Sequence, residues 1–254
     1  MTDKKKQTYH LNKNYGGGAA RRRVRLTSSL GAVEGRLTDI FHEMKCRVEF
    51  ENGVITQVTG ETIRAPTNIC PGATAALQDL VGLPIASNMA AFYAGGRAKQ
   101  HCTHLLHLAV LCAAHAGRDE DTRIYDILIP DDVGSSAEVV VSRNGVPVHI
   151  WEVRDHHIVT PAELAGRPIL SGFTAWATST LSGDALEAAY VLSQAYFVGQ
   201  ARRYDTEAVA GQAMAADSPM IGVCFAYAPE RFATGRLLAG ATRDFTDGVV
   251  ETCF

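Results

Sequence analysis

Between Arg23 and Val58 charged and apolar residues alternate over one short run after another, and only a β-strand with one buried face turns that spacing into a single apolar side. Arg23-Val24-Arg25-Leu26-Thr27 opens the pattern, Ala32 to Ile40 and Cys46 to Phe50 continue it, and Val54 to Val58 follow a turn at Glu51-Asn52-Gly53. Asn and Gly both tolerate the positive φ of a tight two-residue turn, so the last two runs are predicted to form a hairpin. Runs in this succession fit an antiparallel meander. Ile124 to Ile129, Ala137 to Val141 and Val146 to Trp151 are expected as further strands, the last two joined through Arg143-Asn144-Gly145.

Helical signals interrupt the strands. Pro71 opens a segment from Gly72 to Leu80 that Gly82 and Pro84 close. A longer helix, roughly Lys99 to His115, is apolar nearly all round and stops at Gly117, which places it at the centre of the fold or at a homo-oligomer interface. A third, about Gly183 to Arg203, carries Leu186, Ala189, Tyr190 and Phe197 at helical spacing, and a final apolar stretch runs from Met220 to Tyr227. No internal repeat is visible. Strands and helices do not alternate strictly, so the expected class is α+β: an antiparallel sheet built from hairpins, packed against a few helices, one of them buried and central. With 46% hydrophobic and 20% charged residues the chain can bury one large core, giving a single α+β domain over 21–254 behind a flexible polar arm at 1–20.

A net charge of −3 gives no field for nucleic acid, and Lys4-Lys5-Lys6 and Arg21-Arg22-Arg23 read as solvated runs. The polar start lacks a leader-like apolar core, and the apolar stretch Leu105 to Ala116 is too short for a bilayer and is broken by His107 and His115. A cytoplasmic location without membrane contact is expected. The six cysteines have no short paired spacing and read as free thiols, and Cys253, one residue from the end, makes no prenylation box. Gly16-Gly17-Gly18 and Gly95-Gly96 have the wrong context for a phosphate loop, and neither a zinc-protease helix nor a serine nucleophile elbow is present.

The candidate chemistry centres on the core helix. At 100° per residue His101 and His104 lie about 60° apart, as do His104 and His107, whereas Cys102 falls about 160° from His104. His104 belongs to both pairings and is the first candidate acid or base, or a ligand with His101 and His107 for zinc or iron. Satisfied core histidines, with Cys102 and Cys112 as small apolar residues, are the plain alternative. Cys70, before Pro71, is expected at an N-cap, where the helix dipole would favour a thiolate, against the alternative of an inert buried thiol. Glu34, Arg36, Asp39 and His42 come from the first hairpin. If the core helix packs across them, Glu34 or Asp39 could orient an imidazole. His156-His157 is a further pair on an expected loop.

Glu34-Gly35-Arg36-Leu37-Thr38-Asp39, His42-Glu43-Met44, Ile69-Cys70-Pro71 with Leu80-Val81-Gly82-Leu83, and Cys102-Thr103-His104-Leu105 together resemble a bacterial family catalogued as domain of unknown function 2889. The likeness covers about Arg22 to Pro130, and Cys-Thr-His-Leu is its most recognisable element. Family members usually have Gly before that element, where this chain has His101. The resemblance implies Asp39, His42, Cys70 and His104 as positions to test and carries no activity.

Three functions follow as expectations. The first is a cofactor-independent enzyme of lyase or isomerase type acting on a small, partly apolar metabolite, aromatic ones among the candidates. In it His104 is the acid or base, Asp39 or Glu34 its orienter, His42, His101 or His107 a second proton carrier, and Arg36 an anion contact. The second is a metal-dependent hydrolase or oxygenase with histidine ligands. The third is a non-catalytic binding or assembly module.

Overall fold

A computed structural model describes residues 10–248 apart from 87, 135, 216 and 217. Lys4-Lys5-Lys6 and Cys253 lie outside the described residues. Eight strands form one antiparallel sheet: β1 (Ala19–Ser29), β2 (Ala32–Asp39), β3 (Glu43–Glu51), β4 (Val54–Arg64), β5 (Thr122–Pro130), β6 (Ala137–Arg143), β7 (Val146–Arg154) and β8 (His157–Thr160). Their order is β4-β3-β2-β1-β5-β6-β7-β8. The fold is therefore α+β, as the alternating runs imply, and the Asn-Gly turns behave as expected: Asn52 and Gly53 have φ of 51° and 76°, Asn144 and Gly145 of 49° and 80°.

Beyond β4 the chain makes a 3₁₀ helix at Cys70–Leu80 and short helices α1 (Met89–Tyr93) and α2 (Arg97–Gln100) before α3 (Thr103–Ala116). After β8 come α4 (Phe173–Thr180), α5 (Gly183–Gly199) and, late in the chain, α6 (Pro229–Phe232). The single helix expected over Lys99 to His115 is thus two. His101 has φ −111° and ψ 163°, an extended conformation that ends α2, and Cys102 caps α3. Met220 to Tyr227 is mostly turn, with a 3₁₀ helix only at Phe225–Tyr227.

The inward residues of the central strands show why both long helices share one face. In β1, Arg22, Val24 and Leu26 are buried, and across the antiparallel register they stand opposite Ile127, Tyr125 and Arg123 of β5, which are buried too. α3 covers β1 to β3, and α5 covers β5 to β7 and reaches across to β1. The close approach of α3 depends on Gly35 of β2, where an added Cβ would stand 2.6 Å from Cys112 Sγ and 2.9 Å from Leu108 Cδ1. Ten of the fourteen residues of α3 are buried, consistent with an all-round apolar helix between a sheet and its neighbours.

The topology repeats although the sequence does not. Each half is a four-stranded meander followed by helices on the same face, and the halves meet antiparallel at β1 and β5. The described part of the expected polar arm is docked. Asn12 Nδ2 donates to the Arg202 carbonyl at 2.9 Å, and the backbone N–H groups of Gly16 and Gly18 donate to Asp131. Ala19 and Ala20 already belong to β1 and are buried, four residues before the expected strand start at Arg23. No described helix is long and apolar enough to cross a membrane.

Candidate functional site

At the end of β2 a polar cluster forms on the helix-covered face. Asp39 shares the inward parity of Val33, Gly35 and Leu37, so a strand that packs apolar residues against α3 carries a carboxylate in at its last position. That carboxylate is 1% exposed and has five donors. Oδ1 accepts from the backbone N–H of Phe41 at 2.9 Å and of His42 at 2.8 Å, and from His42 Nδ1 at 2.9 Å. Oδ2 accepts from Arg22 Nε at 3.1 Å and Nη2 at 2.7 Å. Burial would raise the Asp39 pKa, but attraction to His42 and Arg22 and the His42 hydrogen bond outweigh it and hold the group well below the usual carboxylate value.

An ionised carboxylate only accepts, so His42 Nδ1 must carry the proton it shares with Asp39, and Nε2 is left for other chemistry. His104, in the first turn of α3, stacks on His42 with ring centroids 4.0 Å apart and planes 27° from parallel. Burial, then repulsion from His42 and Arg22, depresses the His104 pKa well below its ordinary value, against a smaller opposing pull from Asp39. His104 is neutral at pH 7. One atom from each of Asp39, His42 and His104 falls within 4.8 Å of the others, close enough to hold a metal ion.

The turn between β2 and β3 that presents His42 is fixed from outside. Arg64 of β4 donates through Nη1 to the Ile40 carbonyl at 3.1 Å and to the Ala241 carbonyl at 2.8 Å, and through Nη2 to the Asp39 carbonyl at 2.8 Å and the His42 carbonyl at 3.1 Å. Arg243 N adds a bond to the Ile40 carbonyl at 2.8 Å. One guanidinium thus ties the turn of the Asp39–His42 dyad to the segment near Ala241, which the sequence alone does not place here.

The other expected site residues separate from this cluster. His107 lies one turn deeper on α3, 2% exposed, and burial brings its pKa down to about 4 despite a hydrogen bond with Gln194. It adjoins the dyad through Arg22, whose charge bears on both His104 and His107. His101 does not belong. The break at His101–Cys102 turns its ring to Asp79, with Nε2 3.4 Å from Oδ2, so the expected His101–His104 face does not exist. Glu34 and Arg36 are also excluded. Arg36 Nε donates to Glu34 Oε1 at 2.8 Å on the open face of the sheet, because α3 packs on the opposite parity of β2.

Cys70 differs from expectation as well. Ile69, not Cys70, holds the N-cap, and Cys70 sits in a small apolar cluster with Ala65 and Ala226, its sulfur 3.1 Å from Thr67 Oγ1. Burial pushes its thiol pKa up, which disfavours the thiolate the N-cap reading requires. His156 Nδ1 lies 3.0 Å from the Tyr196 hydroxyl, and His157 is exposed. Sequence reasoning missed Arg22, which hides inside the run Arg21-Arg22-Arg23. Its parity with Ala20, Val24 and Leu26 was the available signal.

Neither the curated proteins nor the solved structures contain a match to this chain. Residues 25–117, which run from β1 through α3 and include Asp39, His42 and His104, match the model of a family described as Protein of unknown function (DUF2889).

Proposed function

We propose that the protein is an enzyme that moves protons on a small organic molecule, of lyase or isomerase type, with His42 as the base and Asp39 as its orienter. The observation that carries this reading is the saturation of Asp39. Five donors on two oxygens leave the carboxylate little capacity beyond holding charge and direction, the role an orienting carboxylate plays beside a catalytic imidazole. His104, neutral and stacked on His42, supplies the second ring that accepts or returns the proton.

Deuterium incorporation tests it. Carbonyl metabolites, aromatic ones included, are incubated with the protein in D₂O and followed by NMR. Exchange at a carbon next to the carbonyl is expected, and it drops by about 10²-fold or more in His42→Gln, the usual scale of general-base catalysis. Exchange that survives in both His42→Gln and His104→Gln would remove the proposal.

A second reading rests on the 4.8 Å grouping of Asp39, His42 and His104, which is compact enough for zinc or iron. Asp39 would then have to release one of its present donors to gain a ligand position. Elemental analysis of tag-free protein distinguishes the readings: stoichiometric metal, lost in His104→Ala, supports the second.

A further inference from the structure

We propose that the open face of the sheet, opposite the helices, carries a binding site for a phosphate-bearing small molecule, formed by Arg25, Arg36 and Arg47. This inference does not depend on the acid–base reading of the Asp39 cluster, because the two sites lie on opposite faces of β2. Asp39 points inward while Glu34 and Arg36 point out.

The register brings the cations together. Arg25 of β1 stands directly across from Arg36 of β2, and Arg36 directly across from Lys45 of β3. Neighbouring strands are about 4.8 Å apart, and like charges directly opposite one another destabilise a sheet. Three in a row are costly unless anions neutralise them. Acidic side chains do part of this: Glu34 bonds Arg36 at 2.8 Å, Glu49 bonds Arg47 at 2.9 Å, and Glu61 lies 3.6 Å from Lys45. Arg25 has no acidic partner among the described residues.

The unpaired cation also lines a cavity. Arg25, Arg36, Arg47 and Thr27 surround about 390 Å³ of space, with Glu34 as the acidic group in the lining. That volume is at the lower end for small-molecule sites. Guanidinium groups bind phosphate and carboxylate oxygens alike in a bidentate manner. With Glu34 on Arg36 and Glu49 on Arg47, the three guanidiniums keep a net charge of +1 centred on Arg25, and their several N–H donors suit the many oxygens of a phosphate better than a monocarboxylate.

Isothermal titration of the full chain with inorganic phosphate and with pyrophosphate, at low and at moderate salt, tests the site. Saturable one-to-one binding that weakens with salt is expected, tighter for pyrophosphate than for acetate. Arg25→Gln is expected to weaken it about tenfold, the scale of one charge-assisted contact. Glu34→Gln is expected to tighten it, because Arg36 is released from its internal partner. Both side chains are on the solvent side, and circular dichroism checks that the variants remain folded. Absence of saturable binding, an unchanged affinity in folded Arg25→Gln, weaker binding in Glu34→Gln, or acetate or citrate binding as tightly as pyrophosphate would each overturn the proposal.

Discussion

The buried pair of Arg22 and Asp39 is held as much by what each would lose as by what it gains. A guanidinium at 1% exposure has given up its water, and removal of its carboxylate would leave that charge unpaired. Breaking such a pair from one side typically costs about 3–5 kcal/mol. Arg22→Met is therefore expected to destabilise the protein by that order in urea titrations, and Arg22→Met with Asp39→Asn by less than the sum of the two single changes. His107 gives a pH prediction. Its folded pKa of about 4 lies below the roughly 6.5 of an unfolded chain, so between those values the unfolded state takes up a proton that the folded state refuses. Stability from this group is complete above about pH 6.5 and is lost as the pH falls toward 4, by up to about 1.4 kcal/mol per pH unit. The depressed pKa of His104 acts in the same direction. The urea midpoint is expected to fall between pH 7 and 5, and His107→Gln to flatten that fall by one proton's share. At this scale the sequence was partly legible: Asp39, His42 and His104 came from chain positions 3 to 65 residues apart and do meet. Arg22 did not stand out, because three consecutive arginines look like a solvated run until strand parity assigns the middle one to the interior.

Among the elements, the contact of α3 with β2 decides whether the site can form, since His104 is carried by the helix and Asp39 by the strand. Gly35 sets their separation, with φ playing no part; the reason is space. A methyl group there would meet Cys112 Sγ at 2.6 Å and Leu108 Cδ1 at 2.9 Å, and both residues are held inside the core at 0% exposure. Gly35→Ala is expected to cost about 1–3 kcal/mol in urea titrations, as overpacking does elsewhere. Adding Cys112→Ala removes the nearer obstacle and should recover part of that loss, with a coupling of about 0.5 kcal/mol or more. Equal effects of Gly35→Ala in the presence and absence of Cys112 would refute the contact. Element type was legible in most places because alternation and Asn-Gly turns are local signals. The break between α2 and α3 was not, since every residue around His101 and Cys102 is compatible with a helix. The interruption instead accompanies contacts made at a distance, the Phe225 N–H bonding the His101 carbonyl at 2.9 Å and Asp79 facing the ring.

The whole molecule depends on a pairing that no local signal announces. β1 and β5 are about a hundred residues apart in the chain, yet their antiparallel register joins the two meanders and lets α5 reach β1, where Gly199 admits Ala20 and Ile129 within 3.2 Å of the position of a Cβ. The first half, which contains Asp39, His42 and His104, therefore ends at an open strand. Without β5 the backbone of β1 would be unpaired along one side, and the inward face of Val24 and Leu26 would lose its α5 and β5 neighbours. Exposed strand edges of this kind pair with other chains. A fragment of residues 10–120 is consequently expected to self-associate, and the twofold arrangement of the intact sheet suggests the route: two copies of β1 side by side, each taking the place of the other's β5. Light scattering after gel filtration would give a dimer or larger species for the fragment, and Val24→Lys, which places a charge at the new edge, would disperse or unfold it. A fragment that stays monomeric and retains the near-ultraviolet circular dichroism of a packed core would mean that the second half is an accessory to a self-sufficient first half. The main hydrophobic core, which draws residues from Ala20 to Val198 and so spans both halves, argues against that outcome. It also requires the intact chain to unfold in one cooperative transition by both fluorescence and far-ultraviolet circular dichroism.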